Sequence, residues 1–175
     1  MTGEGDYSHT EDVLRHLLGV DRRSPRAGDA DVEPDLALVT TQETYLGAER
    51  GGEAMTSPEP FTTGDHDFTA PADVPSDHTA LTGRWKVDSE FVENEAPGDS
   101  LLLSYRAREV NLVMAPAAPG TAVDVAVEVD GRRLPAAHVD DSDLYRLVAS
   151  SALEAHRLRL TPSSPGVRIY AFTFG

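Results

Sequence analysis

The chain has 175 residues, with 30 acidic against 15 basic side chains, a net charge of −15 and no cysteine. The length points to one domain with at most a short appendage, and the charge repels phosphate backbones and anionic membrane surfaces, which excludes nucleic acid as a partner. The missing cysteine excludes disulfides, thiol catalysis, CxxC redox chemistry and cysteine-ligated metals.

The first segment, MTGEGDYSHTED, is acidic and polar and lacks the pattern of a signal peptide. No apolar run approaches the roughly 18 residues that a spanning helix needs, so no membrane insertion is expected. On these grounds the chain stays in the cytoplasm. If it is a fragment of a longer exported protein, that inference fails. Ser8 to Gly19 reads as a short helix. Ser8 is its N-cap, with Glu11 as capping-box partner, and Val13, Leu14, Leu17 and Leu18 form one apolar stripe. At roughly three turns it needs something to bury against, whether the rest of this chain, a second domain, a partner or another copy. Residues 20–34 have the composition of a linker.

Residues 35–175 are expected to form an all-β domain, a jelly-roll-like β-sandwich. A short strand leads into Glu43-Thr44-Tyr45-Leu46-Gly47. Residues 48–80 read as one long acidic loop rich in Pro and Gly, either partly disordered or pinned by Phe61 and Phe68. Thr82 to Glu95 reads as one kinked strand carrying Trp85, Val87 and Phe91. Pro97-Gly98-Asp99 is a turn. The central run is Leu101 to Met114. Leu101, Leu103, Tyr105 and Ala107 share a face; then Val110, Leu112 and Met114 take over after a one-residue shift, which predicts a β-bulge near Arg108-Glu109. Val123, Val125, Val127 and Val129 alternate strictly up to Asp130-Gly131, the signature of a type I′ hairpin. The return strand begins at Arg132 and ends at Pro135. Further strands are expected at Leu144 to Val148, His156 to Leu160 and Val167 to Phe174. The last is apolar on both faces, as an interior strand is. Seven to nine short strands without crossover helices favour a sandwich or jelly roll.

Several of these stretches together resemble a family. They are ETYLG with Arg50, GRW with Glu90, LSYRAREVNLVM, VDGR, LYRLV, HRLRL and the terminal YAFTFG. In this order they are similar to the β-sandwich that follows the thioredoxin-like domain in DipZ-type thiol–disulfide proteins, itself similar to a carbohydrate-binding module. The resemblance covers roughly Leu36 to Gly175. Gly3 to Leu18 looks like the terminal helix of the preceding thioredoxin-like domain, so residues 1–19 read as its remnant. The family's redox activity does not carry over, because no cysteine is present to carry it. The resemblance implies a non-catalytic accessory or binding module with a carbohydrate or protein partner, a thioredoxin-like domain among the candidates. It implies no cofactor. A structural or self-associating domain and a fragment of an oxidoreductase are the alternatives.

The candidate ligand-binding residues are Tyr45, Arg50, Trp85 and Glu90. Aromatic rings stack on the apolar face of a sugar, although the single Trp of a sandwich is usually core. Glu43, Arg50 and Glu90 are either polar partners in a groove or a buried ion pair fixing ETYLG. Asp65, His66, Asp67 and His78, and likewise His138, Asp140 and Asp141, match no standard metal spacing and read as solvated. No GxSxG elbow supports a hydrolase, and carboxylate pairs such as Glu90 and Glu93 arise from composition alone. No catalytic residue and no metal site is therefore assigned.

Overall fold

The computed structural model describes residues 40–175, all within a compact unit spanning Leu36–Gly175. The expected N-terminal helix and linker lie outside the described residues. Those described form no helix, and none therefore long and apolar enough to cross a membrane. They build nine strands: β1 (Thr44–Tyr45), β2 (Gly64–Phe68), β3 (His78–Val87), β4 (Val92–Asn94), β5 (Ser100–Pro116), β6 (Val123–Val129), β7 (Arg132–Val139), β8 (Asp143–Pro162) and β9 (Val167–Phe174).

The nine strands pair antiparallel throughout, in the order β1-β9-β4-β3-β5-β8-β6-β7 with β2 beside β3. The spine is β5. One of its edges holds β8 along both halves, while the other holds β3 at Ser100–Ser104 and β9 at Val110–Pro116. Because β4 bridges β3 and β9, the ladder closes on itself like a barrel. Within this ring closure pairs strand edges that would otherwise expose amides, while β1, β2 and β7 remain at edges.

The frame shift read in β5 is present. Leu101, Leu103, Tyr105 and Ala107 are buried, then Val110, Leu112 and Met114, and the pairing with β8 slips between Ala107 and Glu109. The extra residue keeps the apolar set facing inward while the strand changes partner. The Gly175 carbonyl accepts the amides of Arg108 (2.8 Å) and Glu109 (2.9 Å), so the bulge leaves neither unpaired. At the opposite corner β3 leaves β5 at Gly83, whose φ is +93°. A Cβ there would lie 2.1 Å from Asp99 Oδ1. That buried carboxylate accepts the amides of Arg84 (2.9 Å), Glu95 (3.0 Å) and Ala96 (2.7 Å).

Four expectations need correction. Residues 48–80 are not one loop: they contain β2, pinned by buried Phe68, whose ring lies 6.1 Å from that of Phe61. The Asp-His-Asp run hid this strand, since its charged residues point to solvent. Thr82 to Glu95 is not one kinked strand but the hairpin β3–β4, turned where the Asp88 amide donates to Phe91 O (2.8 Å). The return strand β7 passes through Pro135 to Val139. Pro135 and Ala136 bulge opposite Ala126, and β7 pairs only with β6, so a missing amide costs no ladder bond. LYRLV and HRLRL belong to the single strand β8, which bulges between Ala149 and Glu154. The hairpin itself is as read, with Asp130 at φ +50° and Gly131 at +78°.

Candidate functional site

Tyr45 ends β1, opposite Ala171 of β9. Leu46 is fully buried, and its amide donates to Tyr170 O (2.8 Å), so the chain is nailed to β9 at that point. Gly47 then passes beneath the β3–β4 turn, where a Cβ would sit 2.2 Å from Ser89 O. The amides of Ala48 and Glu49 donate to Asp88 O (2.8 Å) and Ser89 O (3.0 Å). Next, Gly51 closes a tight turn onto Gly47 O (2.7 Å), which carries Arg50 back over Tyr45. The Arg50 Cζ stands 3.3 Å from the Tyr45 ring centroid, a cation–π contact. The Tyr45 hydroxyl donates to Glu43 Oε2 (2.6 Å), and that hydrogen bond raises the phenol above its ordinary pKa.

This arrangement leaves a cleft of about 230 Å³ whose lining includes Tyr45, Arg50, Glu90 and Tyr170. Tyr170 comes from β9 and is half-buried, its ring 5.4 Å from that of Phe91. Across the Tyr45–Arg50 pair lies a second hollow of about 440 Å³, with Glu43, Glu53, Asp77 and His78 in its wall. The cleft therefore offers aromatic edges, one guanidinium and carboxylates within a small volume.

Three of the candidate residues, Tyr45, Arg50 and Glu90, thus meet at one place. Trp85 does not join them. It is wholly buried, its Nε1 donating to Thr82 O (3.0 Å), so no ring face is open to a ligand and its role is core. Arg50 is not in a buried ion pair either: it is exposed and lies on Tyr45. The reading from sequence missed Tyr170. It lies in the last strand, far along the chain from Tyr45, and only the long-range pairing of β9 with β1 brings the two together.

Asp65, His66 and Asp67 lie on β2, with His66 Nε2 2.7 Å from Thr62 O. His138 Nδ1 sits 2.7 Å from Asp124 Oδ1. Among the described residues no group of three or more side chains is placed to hold a metal ion.

These features define a cysteine-free, all-β domain with a polar and aromatic surface cleft. The chain belongs to the family described as the thioredoxin-like C-terminal domain, which matches residues 41–175. It is 29% identical over 184 residues to Protein DipZ of Mycobacterium bovis and, equally, to that of Mycobacterium tuberculosis. These alignments cover 99% of this chain but only 24% of each relative, so the chain spans about a quarter of their length. Among solved structures it is similar in fold to an active-site mutant of a family two carbohydrate esterase from Clostridium thermocellum. The TM-score is 0.50 and the identity 24%, over 55% of this chain and 31% of the esterase.

Proposed function

We propose that residues 35–175 form a jelly-roll-like β-sandwich acting as a non-catalytic binding module, an accessory to thiol–disulfide chemistry supplied by another domain or chain. Its ligand site is the cleft of Tyr45, Arg50 and Glu90, joined by Tyr170. The observation that carries this reading is their convergence, from β1, two turns and β9, on one exposed hollow. Aromatic rings and short-range polar groups side by side suit a sugar, which presents C–H faces and hydroxyls together. Arg50 stiffens the Tyr45 ring and offers further N–H donors at the rim. The family supplies the thiol–disulfide context; the esterase likeness is one of architecture and brings no ligand with it.

The test is a glycan array with the full chain and with Tyr45→Ala. Binding by the parent, weakened about fivefold or more in the variant, supports the site, since a packed aromatic contact contributes roughly 1 kcal/mol or more. Unchanged binding in Tyr45→Ala, or none to any glycan by the parent, counts against it. Turnover in an insulin-reduction assay would overturn the non-catalytic reading, which the absence of cysteine supports.

A further inference from the structure

A separate hollow of about 480 Å³ lies on the outer face of the sheet and shares no residue with the Tyr45 cleft. Its origin is the alternation of β8. Leu158 and Leu160 point into the core, which turns Arg157 and Arg159 outward. Arg159 stands opposite Leu102 of β5 on one side and Glu128 of β6 on the other. The segment between β2 and β3 crosses this face as a strap: Val74 is buried, and Asp73 forms an ion pair with Arg157. Between strap, sheet and the Asp130-Gly131 hairpin tip a trough remains, with Leu102 and Val74 in its lining. Its volume falls within the range of small-molecule sites, roughly 300–1,000 Å³.

The charges in its wall are unevenly committed. Glu128 accepts from Arg133 Nε (3.1 Å). Asp130 is engaged by the His156 ring (2.7 Å) and the Arg157 amide (2.9 Å). Arg159 pairs with no carboxylate among the described residues. Arg157, two positions away on the same face, already holds one carboxylate, from an exposed strap. Both guanidiniums line the trough, and each presents its N–H groups as a planar fork that matches a carboxylate. The fixed carboxylates Glu128 and Asp130 repel a dianion, yet can accept hydrogen bonds from hydroxyl groups. We propose that this trough binds a polyhydroxylated monocarboxylate of sugar size, a uronic acid. Its carboxylate displaces Asp73 from Arg157 and engages Arg159 as well, and its C–H face rests on Leu102 and Val74.

The experiment is an amide NMR titration of the full chain with D-glucuronate, D-glucose and inorganic phosphate, each to roughly 20 mM, above the ~1 mM Kd that a few kcal/mol of binding implies. Glucuronate should shift Leu102, Ser104 and Gly131, and glucose should not. Arg159→Gln should weaken binding about tenfold, the size of a lost charged hydrogen bond. Asp73→Asn, which removes the internal competitor, should tighten it. No shift at those amides, an equal response to glucose or phosphate, or unchanged affinity in Arg159→Gln would overturn the proposal. Shifts confined to Tyr45, Arg50 and Glu90 would overturn it as well, while supporting the other cleft.

Discussion

Tyr105 lies near the middle of β5 with its ring fully buried, 6.2 Å from the Phe174 ring and 5.8 Å from that of His156. Its hydroxyl has no hydrogen-bond partner among the described residues, and burial pushes its pKa up to about 12. An unpaired buried hydroxyl costs about 1–3 kcal/mol. Tyr105→Phe should therefore leave stability unchanged or raise it by about 1 kcal/mol, read from urea unfolding. A clear loss would reveal a partner for the oxygen. His138 illustrates the opposite case, an exposed group with a fixed partner. The register of β6 and β7 sets it opposite Asp124, whose carboxylate raises the imidazole pKa. A raised pKa means that the pair stabilises the fold below the ordinary histidine value, and that this is lost as pH climbs through the raised one. An NMR titration of His138 should give a midpoint above the ordinary value of about 6.5, and Asp124→Asn should lower it towards that value, with Asp140 still adding a smaller upward push. A midpoint unmoved by Asp124→Asn would discard the pair. Both geometries depend on register, which explains why neither residue announced its role in the sequence.

Among the elements, β5 shows how a strand serves two neighbours in succession. Its bulge was legible in the sequence because the apolar alternation changes frame between Ala107 and Val110. What secures the bulge was not legible: Gly175 accepts both bulge amides, and its own amide returns to Glu109 O (3.1 Å). Amides bonded to structure exchange slowly. The Arg108 and Glu109 amides should accordingly exchange as slowly as those of Leu103 and Leu112, and rapid exchange at the bulge would show that this closure is open in solution. The β3–β4 turn makes the same point for the site. Ser89 and Glu90 look like an unremarkable polar pair within a strand, yet the turn they form docks on Gly47 and carries Glu90 to the cleft. The partners lie some forty residues apart in the chain, beyond the reach of any local pattern.

For the whole molecule, the net charge of −15 acts against compactness through self-repulsion. Raising NaCl from ~10 mM to ~150 mM shortens the Debye length from about 30 Å to about 8 Å, so the melting temperature should rise. A fall would mean that the exposed ion pairs, such as Arg84–Glu95, outweigh the repulsion. The closed ladder β3-β5-β9-β4 brings distant segments together, and one core cluster draws on these strands and on β6 and β8, while turns and the strap contribute to the lining of the clefts.

The all-β class, the inward face of β5, the Asp130-Gly131 hairpin and the lack of cysteine could be read from the sequence. Each follows from alternation, turn stereochemistry or composition, properties carried by neighbouring residues. It also named Tyr45, Arg50 and Glu90 as candidates, through a resemblance and not through spacing. Only the tertiary structure shows that these three meet, that Tyr170 joins them, and that β2 lies hidden in an acidic stretch, while for Trp85 it bears out the core reading that the sequence favoured. Those outcomes rest on pairings such as β1 with β9 and β2 with β3. Such pairings are settled by which buried surfaces fit across the closed sheet, and charged outward side chains conceal them from any pattern read along the chain.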